Sequence, residues 1–120
     1  MGHTYAEVKL YNPQYPLKGI ELKLIVDTGS TYTWIKRNKL TKLEVKPFTT
    51  RKFRTIKGQL IEREVGEAVV EYGDERATTM VVFGEGGDVE VLGVYALEGL
   101  GLEVDPTTGE LRKSEAILAL

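Results

Sequence analysis

Short runs of β-branched and aromatic residues, separated by turns that contain glycine or proline, dominate this sequence. Residues 5–11 and 20–26 form the first two runs, and in the second the apolar residues alternate with Glu21 and Lys23. Such runs are typical of β-strands, and alternation is typical of a strand that buries one face. Proline and glycine in segment 12–19 predict a loop between the two strands. We therefore expect an all-β fold.

Four later runs predict two β-hairpins. These runs are residues 51–57, 59–65, 67–72 and 76–83. The first pair flanks Gly58 and the second flanks the turn residues 73–75. Residues 31–35 predict a further strand, residues 84–88 a flexible loop, and residues 89–92 a buried strand.

Two segments have helical rather than strand spacing. The apolar residues of segment 40–45 predict one short helical turn, and those of segment 94–102 predict a helix of about two turns. Gly99 or Gly101 is expected to end this second helix. Segment 105–109 has turn chemistry and predicts a closing hairpin.

Length and composition exclude several classes of site. A chain of 120 residues is expected to fold as a single domain spanning 1–120. It has no Cys and only one His, His3, so we expect no disulfide, no metal site and no cofactor. No nucleotide-binding glycine motif, secretory leader or membrane-length apolar run is present, which predicts a soluble, cytoplasmic protein. The apolar tail 116–120 is expected to pack on the core or on a partner subunit.

The charge is distributed unevenly along the chain. Segment 36–57, here called the basic block, contains nine Lys and Arg residues and one acidic residue, Glu44. Such a block could bind phosphates or an acidic partner. It contains only Phe48 and Phe53 as aromatic residues that could stack on bases, so nucleic acid is an unlikely partner and a solvated face is the favoured interpretation.

One motif carries potential chemistry, the sequence Asp27-Thr28-Gly29-Ser30. The apolar residues 24–26 place Asp27 at the end of a predicted strand, where a carboxylate needs a hydrogen bond or a paired group. Gly29 permits a tight turn and close backbone approach to that carboxylate. The hydroxyls of Thr28 and Ser30 can orient the site.

Three blocks together resemble the retropepsin-like aspartic proteases, the single-domain relatives of pepsin. The first block is the strand and loop from Leu24 to Ser30. The second is the hairpin around Ile56-Lys57-Gly58-Gln59, at the place of the family's substrate-covering flap. The third is Val91-Leu92-Gly93 and the helix after it, which in the family packs behind the catalytic loop.

The resemblance implies a closed acid-protease barrel with a flap hairpin and one short C-terminal helix. It also implies that two aspartates activate a water that attacks a peptide bond, with one carboxylate as base and the other as acid. Because the chain has one such motif, the second aspartate would come from an identical subunit in a C2 homodimer. The substrate would be a peptide or an unfolded protein.

The resemblance also assigns roles by position. Asp27 would be catalytic, Thr28 would link the two active-site loops, Gly29 would line the substrate backbone, and Ser30 would support the carboxylate network. Residues 56–59 would close over the peptide, while Leu92 and Gly93 would give structural support.

Two departures and two alternatives accompany this interpretation. Val94 stands where many viral members have Arg, and the segment from Gly101 onward looks more like the cellular prokaryotic members, so the interface strands are expected to differ from the viral pattern. One alternative is a dimeric module of the same fold that binds extended peptides without cleaving them. The other is a small β-barrel that binds nucleic acid through the basic block.

Overall fold

The computed structural model of the chain describes residues 3–116 and residue 119. The described residues form the strands β1 (Tyr5–Asn12), β2 (Tyr15–Val26), β3 (Thr33–Lys36), β4 (Thr49–Arg54), β5 (Leu60–Tyr72), β6 (Glu75–Gly84), β7 (Val91–Leu92), β8 (Leu102–Val104) and β9 (Leu111–Lys113). They also form two short helices, α1 (Arg37–Lys42) and α2 (Val94–Leu100). The prediction of an all-β fold is confirmed.

The main sheet closes on itself. Its strand order is β1-β2-β7-β3-β6-β5-β4, and an additional antiparallel pairing of β1 with β5 joins the first strand to the sixth. Six strands therefore form a ring, and β4 lies outside it, paired with β5. The closed arrangement agrees with the expected fold class. A separate hairpin of β8 and β9 confirms the closing hairpin predicted around segment 105–109.

The core lies inside this ring and under the two helices. Alternate residues of β1 point inward and are buried, namely Ala6, Val8 and Leu10. Leu40 of α1 and Leu97 of α2 belong to the same buried cluster. The period-2 pattern of the strands and the helical spacing of α2 thus direct one apolar face of each element into a common core.

The predicted loop over segment 12–19 is wrong, because β2 already begins at Tyr15. The register pairs Tyr11 with Gly19 and Asn12 with Tyr15, so residues 16–18 bulge out between two paired positions. The buried Asn12 side chain donates to the carbonyl of Leu43 at 2.9 Å and accepts from the N–H of Gln14 at 2.8 Å. These bonds fix a tight turn directly after β1, and the proline and glycine fall in the bulge.

The strand on either side of Gly66 is also longer than predicted. Residues 59–65 and 67–72 were expected as separate strands, but β5 runs through Gly66 without a break. A Cβ atom at Gly66 would lie 2.9 Å from the carbonyl oxygen of Lys46, so the glycine serves close backbone packing rather than a turn. Conversely, the strand predicted over 89–92 contains only two residues, and Val89 is exposed.

The helix predictions are confirmed, and α2 ends at Gly101, whose φ of 70° is left-handed. The prediction for the tail 116–120 falls mostly outside the described residues, although Ala116 is exposed. Within the described part of the chain, no helix is long and apolar enough to cross a membrane.

Candidate active site

Asp27 begins a tight turn directly after β2. Its backbone N–H donates to the carbonyl of Leu92 at 3.0 Å, which continues the parallel pairing of β2 with β7 by one residue. Its own carbonyl accepts the N–H of Ser30 at 3.1 Å and closes the turn. The Asp27 side chain is exposed in the single chain. The strand therefore delivers the carboxylate to the surface on a fixed backbone.

One oxygen of this carboxylate is held by the turn itself. Oδ1 of Asp27 accepts a hydrogen bond from the N–H of Gly29 at 2.9 Å. A Cβ atom at Gly29 would lie 3.2 Å from the same oxygen, so a side chain there would crowd the carboxylate. No donor among the described residues bonds Oδ2. Thr28 is exposed beside it.

The loop is anchored from behind by α2. The N–H groups of Val94 and Tyr95 donate to the carbonyls of Ser30 and Thr31 at 2.8 and 3.1 Å. The Ser30 hydroxyl donates to the carbonyl of Tyr32 at 2.8 Å, so in the single chain it braces the loop backbone and is not bonded to the Asp27 carboxylate. Ser30 thus contributes to the loop through both its backbone and its side chain.

Gly93 lies where the loop and the helix come closest. A Cβ atom there would lie 2.3 Å from the carbonyl oxygen of Tyr32 and 2.8 Å from that of Ser30, distances that no side chain can occupy. The Gly93 N–H donates to the buried hydroxyl of Thr33 at 3.0 Å. Leu92, next to it, is fully buried. The structural positions predicted for Leu92 and Gly93 are therefore packed directly against the turn.

Thr33 was not predicted as part of this site. It follows Ser30 by three residues, in a run whose β-branched residues are explained by strand propensity alone. The signal that could have identified it is the alternation of the run, which puts Thr33 on the same face as the apolar Ile35. A hydroxyl on a buried face needs a hydrogen-bond partner.

The hairpin of β4 and β5 contains the predicted flap residues at its tip. The N–H of Gly58 donates to the carbonyl of Thr55 at 2.8 Å, and the N–H of Thr55 donates to the carbonyl of Gln59 at 2.9 Å. Gly58 has a φ of 83°, which favours glycine. Ile56 and Lys57 are exposed at the end of the turn. The tip is thus a closed turn that presents an apolar and a basic side chain.

An aromatic cluster joins the base of this hairpin to the segment after the turn. Phe53 of β4 contacts Trp34 with a ring-centroid distance of 5.0 Å and Tyr32 with one of 5.8 Å. Tyr32 in turn contacts Tyr95 of α2 at 5.6 Å. The sequence analysis did not predict Tyr32, Trp34 or Tyr95 as site residues. Their contacts hold β4 beside the Asp27 turn.

The described residues include no group of three or more His, Cys, Asp or Glu side chains that could hold a metal ion. The chemistry that the described arrangement offers is that of a carboxylate with one oxygen bonded and one open. In a single chain this carboxylate stands alone.

Comparison with known protein families gives one match. A family model described as aspartyl protease matches residues 14–104, which include the Asp27 turn, the hairpin of β4 and β5, and α2. No curated protein matches the chain. The family match agrees with the resemblance inferred from the three sequence blocks.

Proposed function

Because the chain belongs to the aspartyl protease family, we propose that it is an aspartic endopeptidase that works as a C2 homodimer. The observation that carries the proposal is the state of Asp27. Its carboxylate is exposed at the end of a strand, and one of its oxygens is fixed by the N–H of Gly29. The sequence holds a single Asp-Thr-Gly motif, so an identical subunit supplies the second aspartate.

The two Asp27 carboxylates would act on one water molecule. Like charges at close range cannot both ionise easily, so the pair shares a proton. The ionised carboxylate takes a proton from the water, which attacks the carbonyl carbon of the peptide bond. The protonated carboxylate donates its proton to the carbonyl oxygen. No covalent intermediate with the protein forms, and the N–H of Gly29 keeps each carboxylate in position.

The exposed residues around Asp27 fit the remaining roles in a dimer. Thr28 forms no side-chain hydrogen bond with the other described residues and is exposed, so its hydroxyl is available to the partner's loop. Gly29 presents a bare backbone to an extended peptide. Residues 56–59 form the tip of the hairpin, and we assign them the role of a flap that closes over the substrate.

Cleavage of unfolded casein and of a mixed peptide library by the purified dimer tests this proposal. We expect cleavage that a statine-containing inhibitor blocks and that Asp27→Asn lowers by at least about a thousandfold, because the dyad loses its ionised carboxylate. Asp74→Asn is the matched control, since Asp74 is an exposed aspartate in a different hairpin turn. Its activity should match that of the wild type.

Two results would refute the enzyme. One is a dimer that leaves every peptide intact from about pH 3 to about pH 7. The other is an Asp27→Asn variant that keeps its activity. A dimer that binds extended peptides equally well with Asp27 or Asn and cleaves none would instead be the peptide-binding module considered above.

A further inference from the structure

The strand β4 has a free edge. It pairs with β5 on one side, and no described strand pairs with its other side. The N–H and C=O groups along such an edge can accept an extended peptide as an additional strand. The β4 strand leads directly into the hairpin tip at residues 55–59.

This edge carries four cations that the protein leaves unneutralised. They are Arg51, Lys52, Arg54 and Lys57, here called the basic edge. All four are exposed, and none forms an ion pair with a carboxylate among the described residues. Arg54 also donates to the carbonyl of Gly58 at 3.1 Å, so it has a second role in the hairpin.

The cross-strand neighbours compensate this charge only in part. Arg51 lies opposite Arg63, whose guanidinium is already bound to Asp88 at 2.7 Å. Like charges directly opposite each other are unfavourable. Lys52 lies opposite Glu62, but the pair forms no recorded ion pair. A carboxylate arriving beside Arg51 would therefore relieve a repulsion that the folded chain leaves in place.

Other cations of the basic block are neutralised. Arg37 binds Glu64 at 2.6 Å and Glu85 at 2.8 Å, and Lys39 binds Glu90 at 2.7 Å. The whole chain has a net charge of −2. The basic edge is thus a local positive strip on a slightly acidic protein, which attracts anionic groups to this one strand.

The strip lies beside the proposed active site. Phe53, between Lys52 and Arg54, packs on Trp34 and Tyr32 in the segment that follows the Asp27 turn. Successive side chains of a strand point to opposite faces. Arg51 therefore shares the face of Phe53, while Lys52 and Arg54 lie on the other face.

We propose that the basic edge selects acidic peptides, with Asp or Glu side chains flanking the bond that is cleaved. The peptide would pair with the free edge of β4, and its carboxylates would meet Arg51 and Lys52 on the two faces and Lys57 at the tip. This inference rests on the proposed protease function and names its substrate class.

A peptide fits this edge better than a nucleic acid does. A strand edge offers alternating N–H and C=O groups, which match the backbone of a peptide. Single-stranded nucleic acid is bound by aromatic faces on which bases stack. Tyr32, Trp34 and Phe53 are partly buried against one another and present little open face.

The test uses a peptide of about ten residues taken from a cut site mapped in digested casein, long enough to span β4. Three versions carry Glu, Gln or Lys at the positions flanking the cut. We expect kcat/KM for the Glu version to exceed that for the Gln version by about fivefold, and the Lys version to be poorest. Raising the salt concentration to about 0.5 M should reduce the preference.

The variant pair separates the basic edge from net charge. Arg51→Gln with Lys52→Gln should abolish most of the preference while the Gln version is cleaved at the wild-type rate. Lys42→Gln with Lys46→Gln removes the same charge from exposed positions outside β4 and should keep the preference. Equal cleavage of the Glu and Gln versions by the wild type would overturn the inference and leave the protease intact.

A binding measurement keeps the two proposals separate. Fluorescence anisotropy of the labelled peptides with Asp27→Asn reports recognition without cleavage. Tighter binding of the Glu version, lost in the Arg51 and Lys52 variant, supports the acidic preference even if the wild type cleaves nothing. An oligonucleotide that displaces the Glu peptide and binds more tightly than it does would overturn the inference in favour of nucleic acid.

Discussion

Thr33 and Thr79 are both buried threonines of the main sheet, and their hydroxyls have opposite situations. The hydroxyl of Thr33 accepts the N–H of Gly93 at the junction of the Asp27 turn and α2. The buried Oγ1 of Thr79 has no hydrogen-bond partner among the described residues. The pair allows the contribution of the Thr33 bond to be separated from the effect of removing a hydroxyl.

Replacing Thr33 by Val should destabilise the protein, because it leaves the N–H of Gly93 buried without an acceptor. We expect Thr33→Val to lower the free energy of unfolding by about 1–3 kcal/mol, and Thr79→Val to leave it unchanged or raise it. Urea unfolding followed by fluorescence measures both. Equal losses in the two variants would show that the Thr33 bond contributes no more than an unpaired hydroxyl.

At this scale, the sequence predicts those residues whose chemical type has few uses. An aspartate at the end of an apolar strand and a glycine after it predicted the Asp27 turn, and the structure holds that carboxylate through the Gly29 N–H. Thr33 could not be singled out, because a threonine in a strand is explained by propensity until its partner across the fold is known.

The hairpin of β4 and β5 and the hairpin of β5 and β6 have the same kind of glycine at their turns. Gly58 and Gly73 have φ values of 83° and 60°, and each has open space where a Cβ atom would stand. Substitution at either position therefore costs backbone strain without a clash. Only the first of the two hairpins is proposed to move over a substrate.

Gly58→Ala and Gly73→Ala should each lower the free energy of unfolding by about 1 kcal/mol. If residues 56–59 act as a flap, Gly58→Ala should also reduce kcat/KM several-fold, while Gly73→Ala keeps the wild-type value. Thermal unfolding and peptide cleavage, measured on the same preparations, give both quantities. Unchanged cleavage by Gly58→Ala would remove the flap role from this glycine.

The loop between β6 and β7 is held by one partly buried ion pair. Arg63 of β5 binds both oxygens of Asp88, at 2.7 and 3.2 Å, and Asp88 also accepts the N–H of Glu85 at 2.8 Å. The hydrogen bond from Arg63 is the main cause that lowers the pKa of Asp88 below its ordinary value, against the opposing effect of burial. The segment predicted as a flexible loop is therefore tied to β5.

Because the pKa of Asp88 is lower in the folded state than in the unfolded state, the pair stabilises the fold at neutral pH and loses this effect on acidification. We expect Arg63→Gln to lower the free energy of unfolding by about 1–2 kcal/mol at pH 7. The difference from the wild type should shrink below about pH 4. Lys9→Gln, which removes the exposed 3.9 Å pair with Glu21, should have little effect at any pH. A difference for Arg63→Gln that is independent of pH would contradict this assignment.

Strands and helices were predicted well where local pattern decides them, and poorly where distant contacts do. The spacing of apolar residues predicted α2, and glycine C-cap chemistry named Gly101 as one of its two ends. The sequence signals at Gly66 and at residues 16–18 were correctly read as unusual backbone but wrongly as breaks. The carbonyl of Lys46 and the Asn12 bond to Leu43 explain them, and neither is local in sequence.

The whole molecule has a charge pattern and a closure that the sequence reveals only in part. The excess of cations in the basic block is visible in the sequence, but the pairing of Arg37 and Lys39 with distant glutamates is not. The β1–β5 pairing that closes the ring joins residues about sixty positions apart, and no local pattern encodes it. The incomplete site, by contrast, follows from the single Asp-Thr-Gly motif in the sequence.

Mixing wild-type and Asp27→Asn subunits tests most directly whether two chains share one site. The proteins are mixed at fixed total concentration, allowed to exchange subunits, and assayed for peptide cleavage where sedimentation shows dimers. If both carboxylates are needed, activity follows the square of the wild-type fraction, so an equal mixture keeps about one quarter of the wild-type rate. A linear dependence, with about one half of the rate at equal mixture, would mean that each chain carries a complete site of its own.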